Sequence, residues 1–133
     1  MQRIFLDANI ILDLIDAKRG RVVTTKEHLG IHLANGDILY TSCDIFTTVY
    51  YVASKHSEFN KVIAQLENIT NFVEIIPIDA NIILQAITIS KEEQHKDLED
   101  ILQYICAKTM DCELILSNDK SFYSPDIKLK KMV

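Results

Sequence analysis

Arg3-Ile4-Phe5-Leu6-Asp7-Ala8-Asn9-Ile10-Ile11-Leu12-Asp13 is a short apolar run closed by an acid and followed at once by a second apolar pattern. Four apolar residues bounded by a charge suit a buried parallel strand. Ile10, Ile11, Leu14 and Ile15 then share one helical stripe, which stops at Lys18-Arg19-Gly20. The reading is a strand over 3–7 and a helix over 8–17. Asp7 therefore stands where a strand ends and a helix begins. In an open α/β sheet that edge is where ligands bind, because parallel strands bring their carboxyl ends to one side and the following helices start there. An unpaired carboxylate is costly to bury, so Asp7 is the residue of this stretch that asks for a chemical reason.

The same alternation continues along the chain. Val23, Leu29 and Leu33 place a helix over 22–34, with Asn35-Gly36 as its stop before a short strand over 38–41. Ile45, Val49, Val52 and Ala53 recur at helical spacing in 43–56; Thr47 and Thr48 favour a strand locally, and length decides for a helix. A helix over 59–69, a strand over 72–76, Pro77 and a helix over 80–93 capped by Asp79 follow. Asp97 opens a helix over 98–110, residues 113–117 read as a buried strand, and 127–133 alternates apolar and Lys residues as an exposed edge strand does. Strands separated by helices throughout imply an α/β fold with a parallel sheet covered on both faces. One domain spanning 1–133 is expected at this length.

Composition narrows the function classes. Hydrophobic residues make up 48% and the formal charge is −5, so long-range attraction of polyanions is excluded and any nucleic-acid contact has to be local. Lys18, Arg19, Arg21, Lys128, Lys130 and Lys131 are read as solvated loop and edge charge. Cys43, Cys106 and Cys112 fit neither a disulfide framework nor a zinc pattern and are expected as buried thiols in a reducing compartment. No apolar stretch is long enough to span a bilayer, which gives the expectation of a cytoplasmic protein without a membrane partner. Three glycines at 20, 30 and 36 rule out Walker and dinucleotide fingerprints. His28 and His32 at i, i+4 lack a third ligand and are read as surface residues.

Four acids carry the chemistry. Asp7 and Asp119 follow predicted strands, while Asp97 and Asp100 lie at i and i+3 in the first turn of a helix whose amino end favours negative charge. Two carboxylates ~5 Å apart repel by roughly 3 kcal/mol at an effective dielectric of ~20, so a cluster of them calls for a cation. An oxygen-donor set of this kind suits Mg²⁺ or Mn²⁺. Each acid also has a plainer reading: Asp97 and Asp100 as a cap and a first-turn acid, Asp119 as a turn residue. Asp13 and Asp16 are expected on the solvated side of the first helix.

Three segments in register resemble the PIN domain, the metal-dependent nuclease fold of VapC-type toxins. They are Ile4-Phe5-Leu6-Asp7-Ala8-Asn9-Ile10-Ile11-Leu12-Asp13, Asp97-Leu98-Glu99-Asp100-Ile101-Leu102-Gln103, and Leu114-Ile115-Leu116-Ser117-Asn118-Asp119-Lys120-Ser121-Phe122. The resemblance implies a three-layer fold with a central, mostly parallel sheet of order 3-2-1-4-5. It also implies hydrolysis of RNA with Mg²⁺ or Mn²⁺, Asp7, Asp100 and Asp119 as metal ligands, Asp97 as an auxiliary catalytic acid, and Asn9 and Ser117 as small polar residues near the pocket. Homodimers and an antitoxin partner are further family expectations. One departure stands out: where many relatives carry a Glu on the helix after the second strand, this chain has Thr48, with Asp44 one turn earlier read either as partial compensation or as the helix's N-terminal cap. That leaves a rival reading, a catalytically weak or inactive PIN-like module that binds RNA or a protein partner.

Overall fold

In the computed structural model, which describes residues 1–132, five strands form one sheet. They are β1 (Arg3–Leu6), β2 (Ile38–Ser42), β3 (Val73–Ile76), β4 (Leu114–Leu116) and β5 (Lys128–Lys130). Their order is β3-β2-β1-β4-β5, and every neighbouring pair is parallel. Six α-helices connect them: α1 (Ala8–Ile15), α2 (Val22–Ala34), α3 (Ile45–Ala53), α4 (Phe59–Ile69), α5 (Ala80–Glu93) and α6 (Leu98–Thr109). This is the sheet order that the family resemblance implied.

Period-two alternation in the strands feeds two cores. Ile4, Leu6, Leu39, Leu114 and Leu116 point to one face and pack with Ile10, Ile11, Leu29, Val49 and Val62 of α1 to α4. Phe5, Tyr40 and Ile115, one residue out of phase, point to the other face and pack with Ile82 and Ala86 of α5 and Ile101 and Ile105 of α6. A strand buried on both faces must be apolar at consecutive positions, which is why Ile4-Phe5-Leu6 contains no polar residue. The chain steps outward from β1 to β2 and β3, then returns to lay β4 on the other side of β1. The switch point between β1 and β4 is thus fixed by topology, and a crevice opens there at the carboxyl ends of both strands.

Several expectations need correction. α1 ends at Ile15, and residues 17–19 form a 3-10 turn instead of a last helical turn. Asp13 and Asp16 are buried, at 1% and 6% exposure, because seven of the eight α1 residues are covered and the helix has no solvated side. Asp16 accepts from the Lys18 amide at 3.1 Å and caps the turn, while Asp13 pairs with Arg19 at 2.7 Å and lies 3.8 Å from Arg21. Those two arginines are therefore not simply solvated loop charge. In α2 only Leu29 of the predicted apolar stripe is buried, and Val23 and Leu33 face solvent. Cys43 is exposed, in contrast to the buried Cys106 and Cys112. Regular strand pairing ends at Lys130, short of the predicted 133, and Val133 lies outside the described residues. Tyr50 packs against the core and edge-on to Phe59, leaving Tyr51 exposed.

Asp79 behaves as its sequence position predicts. Its carboxylate accepts from the Ile82 amide at 2.9 Å at the start of α5. Asp79→Ala is expected to cost about 1 kcal/mol, read as a lower midpoint in urea with an unchanged denaturant slope.

Candidate active site

The crevice at the ends of β1 and β4 is built from carboxylates that other side chains hold in place. Asp7 is 2% exposed and caps α1, one carboxylate oxygen accepting from the Ile10 amide at 2.9 Å. Its other oxygen accepts a short hydrogen bond from the Ser117 hydroxyl, which comes from the end of β4. The Asp7 amide in turn donates to the Leu116 carbonyl at 3.3 Å. Ser117 also accepts from the Asp119 amide at 3.1 Å, so a single fully buried hydroxyl sets the positions of both acids. One Asp119 oxygen takes bonds from the Ser121 amide and hydroxyl at 2.9 and 2.7 Å. The other makes no hydrogen bond among the described residues.

α6 brings the remaining acids. Asp97 caps the helix by accepting from the Asp100 amide at 3.1 Å, so its predicted cap role is real. Asp100, half-buried in the first turn, is pushed up to about 7 by burial first and then by repulsion from Asp97, Asp119, Asp7 and Glu99. Burial likewise raises Asp7, with Asp119 adding repulsion, while Ser117 and the Ile10 and Asn9 amides pull the other way. Asp100 therefore lies within electrostatic range of Asp7, Asp97 and Asp119, and Asp7 within range of Asp119. Asn9 contributes its backbone amide and leaves its side chain exposed at the rim.

Glu99 and Gln103 were not singled out in the sequence. Glu99 accepts from the Thr48 hydroxyl of α3 at 3.1 Å, and burial raises it, with Asp44, Asp97 and Asp7 contributing repulsion. A carboxylate thus does stand at the Thr48 side of the pocket, supplied by α6 and not by α3. Asp44 lies at the start of α3 without capping it; its carboxylate accepts from the Ser42 hydroxyl at 2.5 Å. Gln103 is 1% exposed, accepts from the Ala8 amide at 3.1 Å and donates to the Glu99 carbonyl at 3.4 Å. The one signal for it in the sequence is an amide among Ile101, Tyr104 and Ile105, where the apolar face of α6 needs a hydrocarbon.

The donor set is all carboxylate and hydroxyl oxygen, which fits a hard divalent cation and no softer metal. Among the described residues no three of His, Cys, Asp and Glu stand close enough to ligate one ion together.

A doubly wound parallel sheet with clustered acids at its switch point defines a class of α/β domain. The PIN domain family profile matches residues 4–128, and the chain belongs to that family. It is 43% identical over 129 residues to Ribonuclease VapC1 of Aquifex aeolicus (strain VF5), covering 96% of this chain and 89% of the relative. Among solved structures it resembles VapBC2 from Rickettsia felis bound to a promoter DNA fragment, with TM-score 0.74, 17% identity and coverage of 97% and 98%. It also resembles VapC20 of Mycobacterium tuberculosis, described as a sarcin–ricin loop cleaving toxin, with TM-score 0.70, 16% identity and coverage of 90% and 92%. No helix among the described residues is long and apolar enough to cross a membrane.

Proposed function

We propose that this protein is an endoribonuclease that hydrolyses RNA phosphodiesters with Mg²⁺ or Mn²⁺, and that it acts as the toxin of a toxin–antitoxin pair. The observation that supports the reading is the tie of Asp7 and Asp119 through Ser117, together with the repulsion that both exert on Asp100 at the start of α6. The 43% identity to a ribonuclease of nearly the same length supports the substrate class. Its antitoxin partner and a homodimeric state follow from the family.

Asp7, Asp100 and Asp119 would hold the ion, directly or through water. When bound, such an ion lowers the pKa of a water and stabilises charge on the phosphoryl oxygen. Ser117 ties the Asp7 carboxylate to the Asp119 backbone, which holds the two segments side by side. Asp97 uses one oxygen for its cap and presents the other to solvent, where it can orient a water for in-line attack. Asn9 lines the rim. Asp44 and Glu99 add negative charge on the α3 side, with Thr48 holding Glu99 in place. The rival of an inactive module drew on the missing carboxylate at Thr48, and Glu99 weakens that argument.

Purified protein is expected to cut RNA on addition of Mn²⁺ and to stop on addition of EDTA; Mn²⁺ binding without cutting would favour the rival. Asp100 at about 7 fixes the pH dependence. Below pH 7 a proton competes with the ion, so Mn²⁺ affinity measured by calorimetry should fall by up to about tenfold per pH unit. Without metal the sign for stability is opposite. The folded carboxyl holds its proton from the unfolded value near 3.8 up to about 7, so stability decreases as pH rises through that window.

A further inference from the structure

We propose that a single RNA strand reaches the acid pocket across the β4–β5 side of the rim, its phosphates held by Arg21, Lys130 and Lys131. This rests on the ribonuclease reading and adds a direction of approach. A chain of net charge −5 repels RNA at long range, and its pocket is the most acidic part of the crevice. Some local positive charge has to bring the backbone in.

Charge along the rim is sorted by sheet order. Asp79 follows β3, Asp44 follows β2, Asp7 ends β1 and Asp119 follows β4. Beyond them, at the carboxyl end of β5, the sign reverses at Lys130 and Lys131, both exposed. Two hydrogen bonds fix this basic end against the acid segment: the Ser117 amide donates to the Lys130 carbonyl at 3.0 Å, and the Met132 amide donates to the Asn118 side chain at 2.9 Å. With strands about 4.8 Å apart, the end of β5 lies ~10 Å from that of β1, within reach of the same strand of RNA.

A second source of positive charge arrives at the same place. Asn118, the residue before Asp119, has its side-chain nitrogen 3.5 Å from the buried Asp13 carboxylate, over which Arg19 and Arg21 also sit. One carboxylate faces two guanidinium groups, so the group carries net positive charge. Arg19 makes the close 2.7 Å contact, whereas Arg21 is 3.8 Å away with its side chain 45% exposed. Arg21 is thus the one able to turn to a phosphate, and guanidinium suits phosphate recognition.

The test is fluorescence anisotropy with a short labelled single-stranded RNA, in Ca²⁺, over a range of salt, with the strand confirmed whole on a gel. The double variant Lys130→Gln/Lys131→Gln is expected to weaken binding about tenfold and to flatten the log–log salt slope by about 0.7 for each phosphate that is no longer neutralised. Arg21→Gln should flatten it by the amount for a single phosphate. The control Lys26→Gln/Lys128→Gln removes the same charge from α2, beside Asn68 and Phe72, and from the start of β5, both at the amino ends of the strands, and should leave the slope unchanged. Equal effects of the two double variants would show that only net charge matters and overturn the proposal, as would no effect of either. Wild-type protein that cuts RNA in Mn²⁺ without the asymmetry overturns this inference alone; asymmetry without cutting overturns the nuclease reading alone.

Discussion

Asp7→Asn is expected to lower metal-dependent RNA cleavage by about 10³-fold or more, with the fold retained. Asn has the same shape, its carbonyl can still accept from the Ile10 amide, and the Ser117 hydroxyl can turn to accept from the new side-chain nitrogen. What disappears is one negative charge at the centre of the pocket. Because burial already raises Asp7 in the metal-free protein, removing that charge should leave the thermal midpoint unchanged or higher. Activity and stability therefore move apart. Cleavage at the wild-type rate by a folded Asp7→Asn protein would rule out Asp7 as a ligand and with it the proposed site.

Gln103→Leu is expected to do the converse, with a drop of about 2–3 kcal/mol in stability and a large fall in activity from a side chain that touches no substrate. Leu keeps most of the volume but leaves the buried Ala8 amide without its acceptor, while the Glu99 carbonyl keeps its helical bond, and a buried unsatisfied group costs about 1–3 kcal/mol. Gln103 links the first turn of α1, which follows Asp7, to the first turn of α6, which carries Asp100. Loosening that link should reduce Mn²⁺ affinity as well. Gln103→Glu separates the two functions, since it keeps an acceptor for the Ala8 amide and removes the donor to Glu99. A Gln103→Leu protein with wild-type Mn²⁺ affinity would show that the amide supports the core and nothing more.

The parts of this molecule legible from sequence were those fixed by local pattern. Ile4-Phe5-Leu6 reads as a doubly covered strand because apolar residues occupy consecutive positions, and the Asp97 and Asp79 caps lie within a turn of the groups they satisfy. Asp7, Asp100 and Asp119 could be placed at one edge because topology, and not detailed packing, brings strand ends together. The failures share a different cause. Asp13 looks solvated on a helical wheel, but α1 is enclosed between β1, α2 and α3, and a buried charge then finds partners beyond its own helix, at Arg19 and Asn118. Glu99 and Thr48 are 51 residues apart, and nothing local links them. Val23 and Leu33 share the period of a buried stripe without a surface to meet, which periodicity alone cannot reveal.

The pairing of β1 with β4 has a consequence for how the protein is made. Residues 4–6 of the central strand wait for residues 114–116 before their second edge is covered, and Ser117 reaches Asp7 only when that register closes. Pairings separated so widely in sequence form late, after most of the chain is available to close the loop. On a ribosome the amino-terminal half would therefore carry Asp7 without the rest of its pocket. The pocket comes together only after residues 114–119 have been made and paired with the first strand.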